Sequence, residues 1–302
     1  AFTVISNIRI SLIADKMYPV LKAKSNGVLD GDTKHTILEN IGAMVFHKIG
    51  QVIVFSTYSI FLSKMFGLLI VGIYSNYTMI INALEGILSQ FFSAIAASIG
   101  NLCADSDKRH QNDIFYVVFF LNFWMFSFST IAVGILMQPF IKVWIGDGYL
   151  MTAECVTFIV INFYLKGMRQ TTITFDTSYG LMRHYKYMPV PECIINLGMS
   201  IVLAYILGPV GILAGTTMST IFAPLWIEPR TLFKYGLKAS IGKYVKRYII
   251  YALFTGSVFA LLNWGLSYFQ LAGIQGLIIR LICVLIVPNA LICFCFYRTE
   301  EF

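Results

Sequence analysis

The chain has 302 residues, of which 58% are hydrophobic and only 12% are charged. Soluble domains carry about 25% charged and about 45–50% apolar residues, so this composition excludes a soluble globular protein, a disordered chain and a nucleic-acid-binding domain. The 22 Lys and Arg residues outnumber the 15 Asp and Glu residues, which gives a formal charge of +7. The hydrophobic residues are concentrated in stretches of about 20, the length of helix that crosses a hydrocarbon core of about 30 Å. We therefore expect an all-α polytopic membrane protein.

Apolar windows bounded by charges, prolines and glycines predict eight full transmembrane helices. The predicted spans are 43–63, 72–98, 114–138, 152–175, 190–207, 210–227, 248–269 and 274–297. Residues 1–14 have the composition of the tail of a preceding transmembrane helix. Residue 1 is an alanine, and neither the basic region nor the cleavage site of a signal peptide is present. We expect from these features that the chain begins inside a longer protein.

The charges of the loops predict the side of the membrane that each loop faces. One alternating set of loops carries 15 of the 22 cations, against two in the opposite set. The first set consists of 15–42, 99–113, 176–189, 228–247 and the tail after 297. Cytoplasmic loops of membrane proteins carry the excess of Lys and Arg. This set is therefore predicted to be cytoplasmic, with the C-terminus inside.

Ionisable groups inside the predicted spans are the first candidates for a functional site. A charge at the centre of a bilayer costs about 2.5–3.5 kcal/mol on insertion scales, so it requires a partner or a hydrated cavity. In the span 72–98, polar residues recur every three or four positions and predict a polar stripe on one helix face. They are Tyr74, Thr78, Asn82, Glu85, Ser89 and Ser93. Glu85, near mid-depth, is a candidate site for a coupling ion or proton; the alternative is a hydrogen-bonded packing residue.

The span 152–175 aligns Asn162, Lys166 and Arg169 with the same helical spacing. Two cations one turn apart repel each other, and an anion or a hydrated cavity opposite them would relieve this repulsion. Arg offers a bidentate fork for phosphate and Lys a compact charge, so we predict that this face binds an anionic substrate. Two alternatives stay open. Both side chains can extend to the inner headgroups, or Lys166 can pair with a carboxylate on another helix.

Basic residues near the predicted cytoplasmic surface form two further groups. Lys48 lies beside His47 at the start of the span 43–63, and it is a substrate-binding candidate that can also simply reach the interface. The segment 228–247 interleaves Lys and Arg with aromatic and aliphatic residues. Such a basic amphipathic segment is attracted to membrane lipids with anionic headgroups. The alternative is that these charges only set the topology of the chain.

Motifs of common enzymes are missing from the sequence. It contains no P-loop, no H-E-x-x-H, no G-x-S-x-G and no clustered set of His and Cys ligands. These motifs carry nucleotide binding, zinc hydrolysis and serine hydrolysis. We therefore predict a protein that is not an enzyme, without catalytic residues, cofactor or metal.

Several short runs suggest a family by their order and spacing. The runs are 66–67, 71–77, 92–94, 99–101, 167–170, 180–181, 195–197 and 211–216, with Tyr187, Pro189, Glu192 and Ser200 between them. Together they resemble the polysaccharide-repeat (Wzx-type) flippases of the multidrug/oligosaccharidyl-lipid/polysaccharide exporter superfamily. The likeness covers most of residues 1–230, and beyond them only general hydrophobicity is shared.

The resemblance implies a domain organisation, because such flippases have two six-helix lobes followed by two extra helices. The run 16–19 would follow helix six, so the eight spans would be helices seven to fourteen and belong to the second lobe. The N-terminal lobe of the same protein would then be missing and would be a required partner. The implied parts are the tail of a preceding helix (1–14), a cytoplasmic linker (15–42), a six-helix C-terminal lobe (43–227), a basic cytoplasmic segment (228–247) and two additional helices with a short tail (248–302).

The resemblance also implies a function. Such a protein translocates undecaprenyl-diphosphate-linked oligosaccharide repeat units across the bacterial cell membrane for capsule, exopolysaccharide or O-antigen assembly, by alternating access. A sugar-diphosphate head cannot cross hydrocarbon unaided, whereas a hydrated cationic cavity can shelter it. Arg169 is the headgroup contact that the resemblance implies, accompanied by Lys166 and Lys48. A cation-coupled drug or metabolite antiporter of the same superfamily and a membrane-bound polysaccharide polymerase or ligase are the alternatives.

Overall fold

The computed structural model describes residues 2–18, 30–105, 107–269 and 273–299, with the backbone alone at Phe2, Thr3, Gln51, residues 53–59 and Asp105. These residues form helices and no strand. The α-helices are α1 (Phe2–Met17), α2 (Gly31–Phe66), α3 (Leu68–Asp105), α4 (Lys108–Trp144), α5 (Ala153–Met168), α6 (Gln170–Ser178), α7 (Pro189–Leu207), α8 (Pro209–Phe222), α9 (Pro224–Thr231), α10 (Gly242–Ser267) and α11 (Gly273–Phe296). Short 3-10 turns lie at Asp147–Tyr149 and Met182–Tyr185, and a π-helical turn at Leu232–Gly236 continues α9.

The chain divides into two units, residues 1–39 and 40–302. The first unit contains α1, which has Lys16 in its last turn, where a cation is favoured by the helix dipole. It also contains the beginning of α2. Because α2 begins at Gly31, residues 31–42 are helical where the sequence predicts a linker. Hydropathy detects the apolar part of a helix. It does not detect polar turns, such as those of residues 31–42, that extend the helix at its N-terminal end.

Six helical segments of the described residues are long and apolar enough to cross a membrane. They are Leu68–Ala104, Lys108–Trp144, Pro189–Leu207, Pro209–Gly236, Gly242–Ser267 and Gly273–Phe296. The protein is therefore an all-α polytopic membrane protein, and each of these segments coincides with a predicted span.

The predicted count of eight such helices is wrong for this part of the chain. The predicted span 152–175 is divided between α5 and α6, which have only 16 and 9 residues and are each too short to cross a bilayer. The predicted span 43–63 falls on α2, where the side chains of Gln51 and of residues 53–59 lie outside the described residues. The predicted tail 1–14 falls on α1, and its membrane location stays a prediction.

Helix α4 is the centre of the second unit and packs against α5, α10 and α11. Its first turn is capped by the Asp107 carboxylate, which accepts a hydrogen bond from the Arg109 backbone N–H at 3.3 Å. Beyond this cap the helix buries a row of phenylalanines in an aromatic core. The ring of Phe123 stacks on that of Tyr251 from α10, with centroids 3.9 Å apart. This aromatic packing joins α10 and α11 to the rest of the unit.

The segment 228–247 is part of the same core. Phe233 and Leu237 are buried there, and the ammonium of Lys243 lies 4.5 Å from the centre of the Tyr116 ring, a favourable cation–π position. Much of the apolar side of this segment is thus covered by protein, whereas Tyr235 is exposed. Attraction of its cations to anionic headgroups stays a prediction.

Helices α7 and α8 form a close antiparallel hairpin. Gly208 has a φ of 64°, which a glycine adopts readily, and Pro209 then begins α8. On α8, Gly215 lies against the α7 backbone at Ser200: a Cβ on Gly215 would stand 2.6 Å from the Ser200 backbone nitrogen. Small residues that let two backbones approach are a common means of packing membrane helices.

We predict that Gly215→Ala destabilises this hairpin, because the added methyl group meets backbone that cannot rotate away. Overpacking of this kind costs about 1–3 kcal/mol. The matched control is Gly198→Ala on α7, where nothing lies within 4 Å of the added Cβ. The control is expected to be neutral or slightly stabilising because Ala is the better helix former. Thermal unfolding in detergent measures both variants, and equal unfolding temperatures would contradict the close approach.

Candidate functional site

The candidate site surrounds the break between α5 and α6. Helix α5 ends at Met168, Arg169 forms the turn, and α6 begins at Gln170. A helix end leaves carbonyl oxygens without partners, and in a membrane protein these must be satisfied internally. The buried Asn122 of α4 does so: its side-chain amide lies 3.2 Å from the carbonyl oxygens of both Gly167 and Met168. Gly167 packs directly on the ring of Phe126, where no side chain would fit.

Lys166, in the last turn of α5 before the break, forms an ion pair with Glu85 of α3. Its Nζ lies 2.6 Å from Glu85 Oε2, and the two side chains are 54% and 23% exposed. The pair lines a pocket of about 290 Å³. The lining residues are Asn82, Glu85, Gly86, Ser89, Phe126, Lys166, Gly167 and Gln170. The polar stripe that the sequence predicts on α3 thus contributes Asn82, Glu85 and Ser89 to this pocket, and the alternative of an ion pair for Lys166 describes the structure.

Arg169, at the break itself, is bound by Glu228 of α9. Its Nε and Nη2 atoms donate to the two carboxylate oxygens of Glu228 at 2.8 and 2.5 Å, a bidentate geometry. The Arg169 and Glu228 side chains are only 13% and 4% exposed. The guanidinium fork that the sequence assigns to a phosphate is therefore occupied by a protein carboxylate.

The two ion pairs differ in the energy needed to open them. Both partners of the Lys166 pair are partly accessible, and where water reaches such a pair it contributes about 0–1 kcal/mol. Separating the buried Arg169 pair would leave a charge without compensation in the protein interior, at a cost of about 3–5 kcal/mol. Lys166 is consequently the cation that an incoming anion can reach, and Arg169 is a fixed part of the structure.

Asp176 of α6 adds a further carboxyl group on the C-terminal side of the break, where the sequence predicts a cytoplasmic loop. It is fully buried, and the hydroxyl of Tyr185 donates to its Oδ2 at 2.9 Å. Its Oδ1 has no hydrogen-bond partner among the described residues. Burial raises the pKa of the Asp176 carboxyl well above its usual range, and the nearby Glu228 carboxylate raises this pKa further. The neutral form of Asp176 is favoured by this environment.

The other two predicted substrate-binding residues lie away from the pocket lining. The Asn162 amide donates to the Leu213 carbonyl at 3.1 Å, and its Oδ1 accepts from the Thr217 hydroxyl at 2.7 Å, so it joins α5 to α8. Lys48 is exposed on α2. Beside it, His47 Nε2 lies 3.3 Å from the Tyr185 carbonyl oxygen. The structure therefore brings Lys166 and Glu85 together and leaves Asn162, Arg169 and Lys48 outside the pocket.

Two residues that sequence reasoning did not single out complete the site. Glu228 directly follows the apolar window 210–227. A carboxylate at the edge of an apolar window needs a cationic partner, and this was the sequence signal that could have indicated its pairing with Arg169. Gln170 lines the pocket four residues after Lys166, and this helical spacing was the available signal for it. No group of three or more His, Cys, Asp or Glu side chains in the described ranges has the geometry of a metal site.

Comparisons with protein-family models, with curated proteins and with solved structures find no match to this chain.

We predict that Arg169→Ala and Lys166→Ala have very different effects on stability. Arg169→Ala leaves the Glu228 carboxylate buried and unpaired, which is expected to lower the free energy of unfolding by about 3–5 kcal/mol. Lys166→Ala removes an exposed pair and is expected to cost about 1 kcal/mol or less. Unfolding in detergent checks the order. The double variant Arg169→Met/Glu228→Leu removes both charges and should recover part of the loss; a larger effect of Lys166→Ala would contradict the assignment.

We predict that Asp176→Asn changes the dependence of stability on pH. Because the folded state raises the pKa of Asp176, folding favours the proton, and stability is lost as pH rises from the ordinary Asp range, about pH 4, through the raised value. Asn stays neutral and still accepts the hydrogen bond of Tyr185. Unfolding temperatures across this pH range should therefore fall less steeply in the variant than in the wild type. Two parallel profiles would assign the titration to another group.

Proposed function

We propose that this chain is part of a flippase that moves undecaprenyl-diphosphate-linked oligosaccharide repeat units across the bacterial cell membrane. The observation that carries the proposal is the half-exposed ammonium of Lys166 in a polar pocket beside a helix long enough to span the bilayer. A phosphate-bearing head requires a cation together with hydrogen-bond donors. The pocket offers the ammonium of Lys166 and the side-chain amides of Asn82 and Gln170.

The surroundings of the pocket support a substrate with an apolar tail. Helix α3, which provides one wall, buries only 11% of its most apolar window in the protein. The remaining apolar surface of such a helix is suited to lipid. A head held at Lys166 could thus keep its polyprenyl chain in the membrane while the sugars are sheltered from hydrocarbon. No covalent step is required, so the proposed protein is a transporter and not an enzyme.

The proposal includes the architecture that the resemblance implies. The chain would supply the second lobe of a two-lobe flippase and two additional helices. The C-terminus would lie in the cytoplasm, since the basic loops mark that side. Alternating access would need the other lobe of the same protein.

A cation-coupled antiporter of drugs or metabolites is the second candidate, and Glu85 is the observation that favours it. A carboxylate inside a membrane-embedded pocket is a common site for a proton or metal cation that drives transport. In this case replacing Glu85 would abolish ion-driven efflux and resistance, and surface glycans would stay unchanged.

We predict that Lys166→Ala, introduced at the native locus, strongly reduces surface polysaccharide while the protein stays in the membrane at wild-type abundance. The variant removes the accessible positive charge of the pocket and little stability. Surface polysaccharide is measured by glycan staining and abundance by immunoblot. The matched control is Lys142→Ala, because Lys142 is exposed to a similar degree and forms an ion pair with Asp147 at 2.9 Å outside the pocket lining. Normal polysaccharide in the Lys166 variant would contradict the proposal.

A further inference from the structure

The pocket contains both a cation and an anion, and their pairing determines what can enter. Of the eight lining residues, Lys166 and Glu85 are the two that carry charge, and the charges cancel. An anion that approaches the closed pair meets the carboxylate of Glu85 as well as the ammonium of Lys166. An anion can therefore bind Lys166 only when the carboxylate of Glu85 separates from the ammonium.

We propose that Glu85 is an internal competitor, a carboxylate that occupies Lys166 in the empty pocket and that the diphosphate of the substrate displaces. This inference rests on the proposed function and adds a specificity-determining residue to it. Only a ligand with its own negative charge can replace Glu85, because a neutral sugar offers nothing that compensates the ammonium once the pair opens.

The geometry permits the exchange. Both side chains are partly accessible, so neither is held in place by packing on every side. Glu85 and Lys166 line the same pocket of about 290 Å³. This pocket provides space for the displaced carboxylate of Glu85 and for a diphosphate. The buried pair of Arg169 and Glu228 offers no such space.

The neutral closed pair also serves the empty protein. An isolated ammonium at membrane depth is costly, and Glu85 compensates that charge until a substrate arrives. A phosphate group carries more charge and more acceptor oxygens than a carboxylate, so it is the stronger partner for Lys166 when the amides of Asn82 and Gln170 add hydrogen bonds.

The test measures pyrophosphate binding to the full chain in nanodiscs of neutral lipid by isothermal titration calorimetry. Glu85→Gln is expected to tighten binding about two- to fivefold, the range that corresponds to loss of an exposed competing ion pair. Lys166→Gln is expected to weaken binding about tenfold or more, because a hydrogen bond between charged groups is lost. The double variant should bind like Lys166→Gln, since the competitor matters only while Lys166 is present.

The control pair is Lys142→Gln and Asp147→Asn, which alter an ion pair with a similarly exposed lysine outside the pocket lining and should leave binding unchanged. Binding that is detectable only in Glu85→Gln would support the proposal in its strongest form. Unchanged or weaker binding in Glu85→Gln, with weaker binding in Lys166→Gln, overturns the competitor and leaves the proposed substrate site intact. Wild-type binding in Lys166→Gln, or no binding in any variant, overturns both.

A second titration with farnesyl diphosphate separates a lipid-linked diphosphate from a free one. Tighter binding of the prenyl compound than of pyrophosphate supports the lipid-linked ligand. Equal binding of the two compounds overturns the lipid-linked ligand. The effect of Glu85→Gln would then show competition with a free diphosphate alone.

Discussion

The buried ion pair between Arg169 and Glu228 is the constraint on which the arrangement of the site depends. It joins the turn between α5 and α6 to α9, which begins after a second helix break at Ala223. Because the pair is nearly excluded from water, separating it is costly, and the segments below the two breaks are held together. On the N-terminal side of both breaks, Asn162 links α5 to α8 through hydrogen bonds instead of an ion pair.

A buried ion pair and an accessible ion pair lie three residues apart on one chain segment. Arg169 is held by the buried carboxylate of Glu228 and is part of the fold. Lys166 keeps more than half of its side-chain surface accessible and faces the polar stripe of α3. The sequence shows two similar cations at helical spacing, and only the burial of their partners distinguishes them.

The helical class, the membrane environment and six of the spans could be predicted because each depends on local hydropathy, which is printed in the sequence. The polar face of α3 followed from the spacing of Asn82, Glu85 and Ser89. The partner of Arg169 could not be predicted in this way, since Glu228 is 59 residues distant and pairs through tertiary packing. The break at Arg169 was missed for a related reason: no proline marks it, and the donor that satisfies it, Asn122, belongs to another helix.

That donor has a consequence for how the segment 153–178 can move. In one continuous helix, the carbonyl groups of Gly167 and Met168 would accept hydrogen bonds from their own helix. The buried amide of Asn122 would then lose both of its acceptors, at an energetic cost. Packing against α4 therefore favours the interrupted form of this segment. Motion of the protein is then expected to leave the interruption at Arg169 in place.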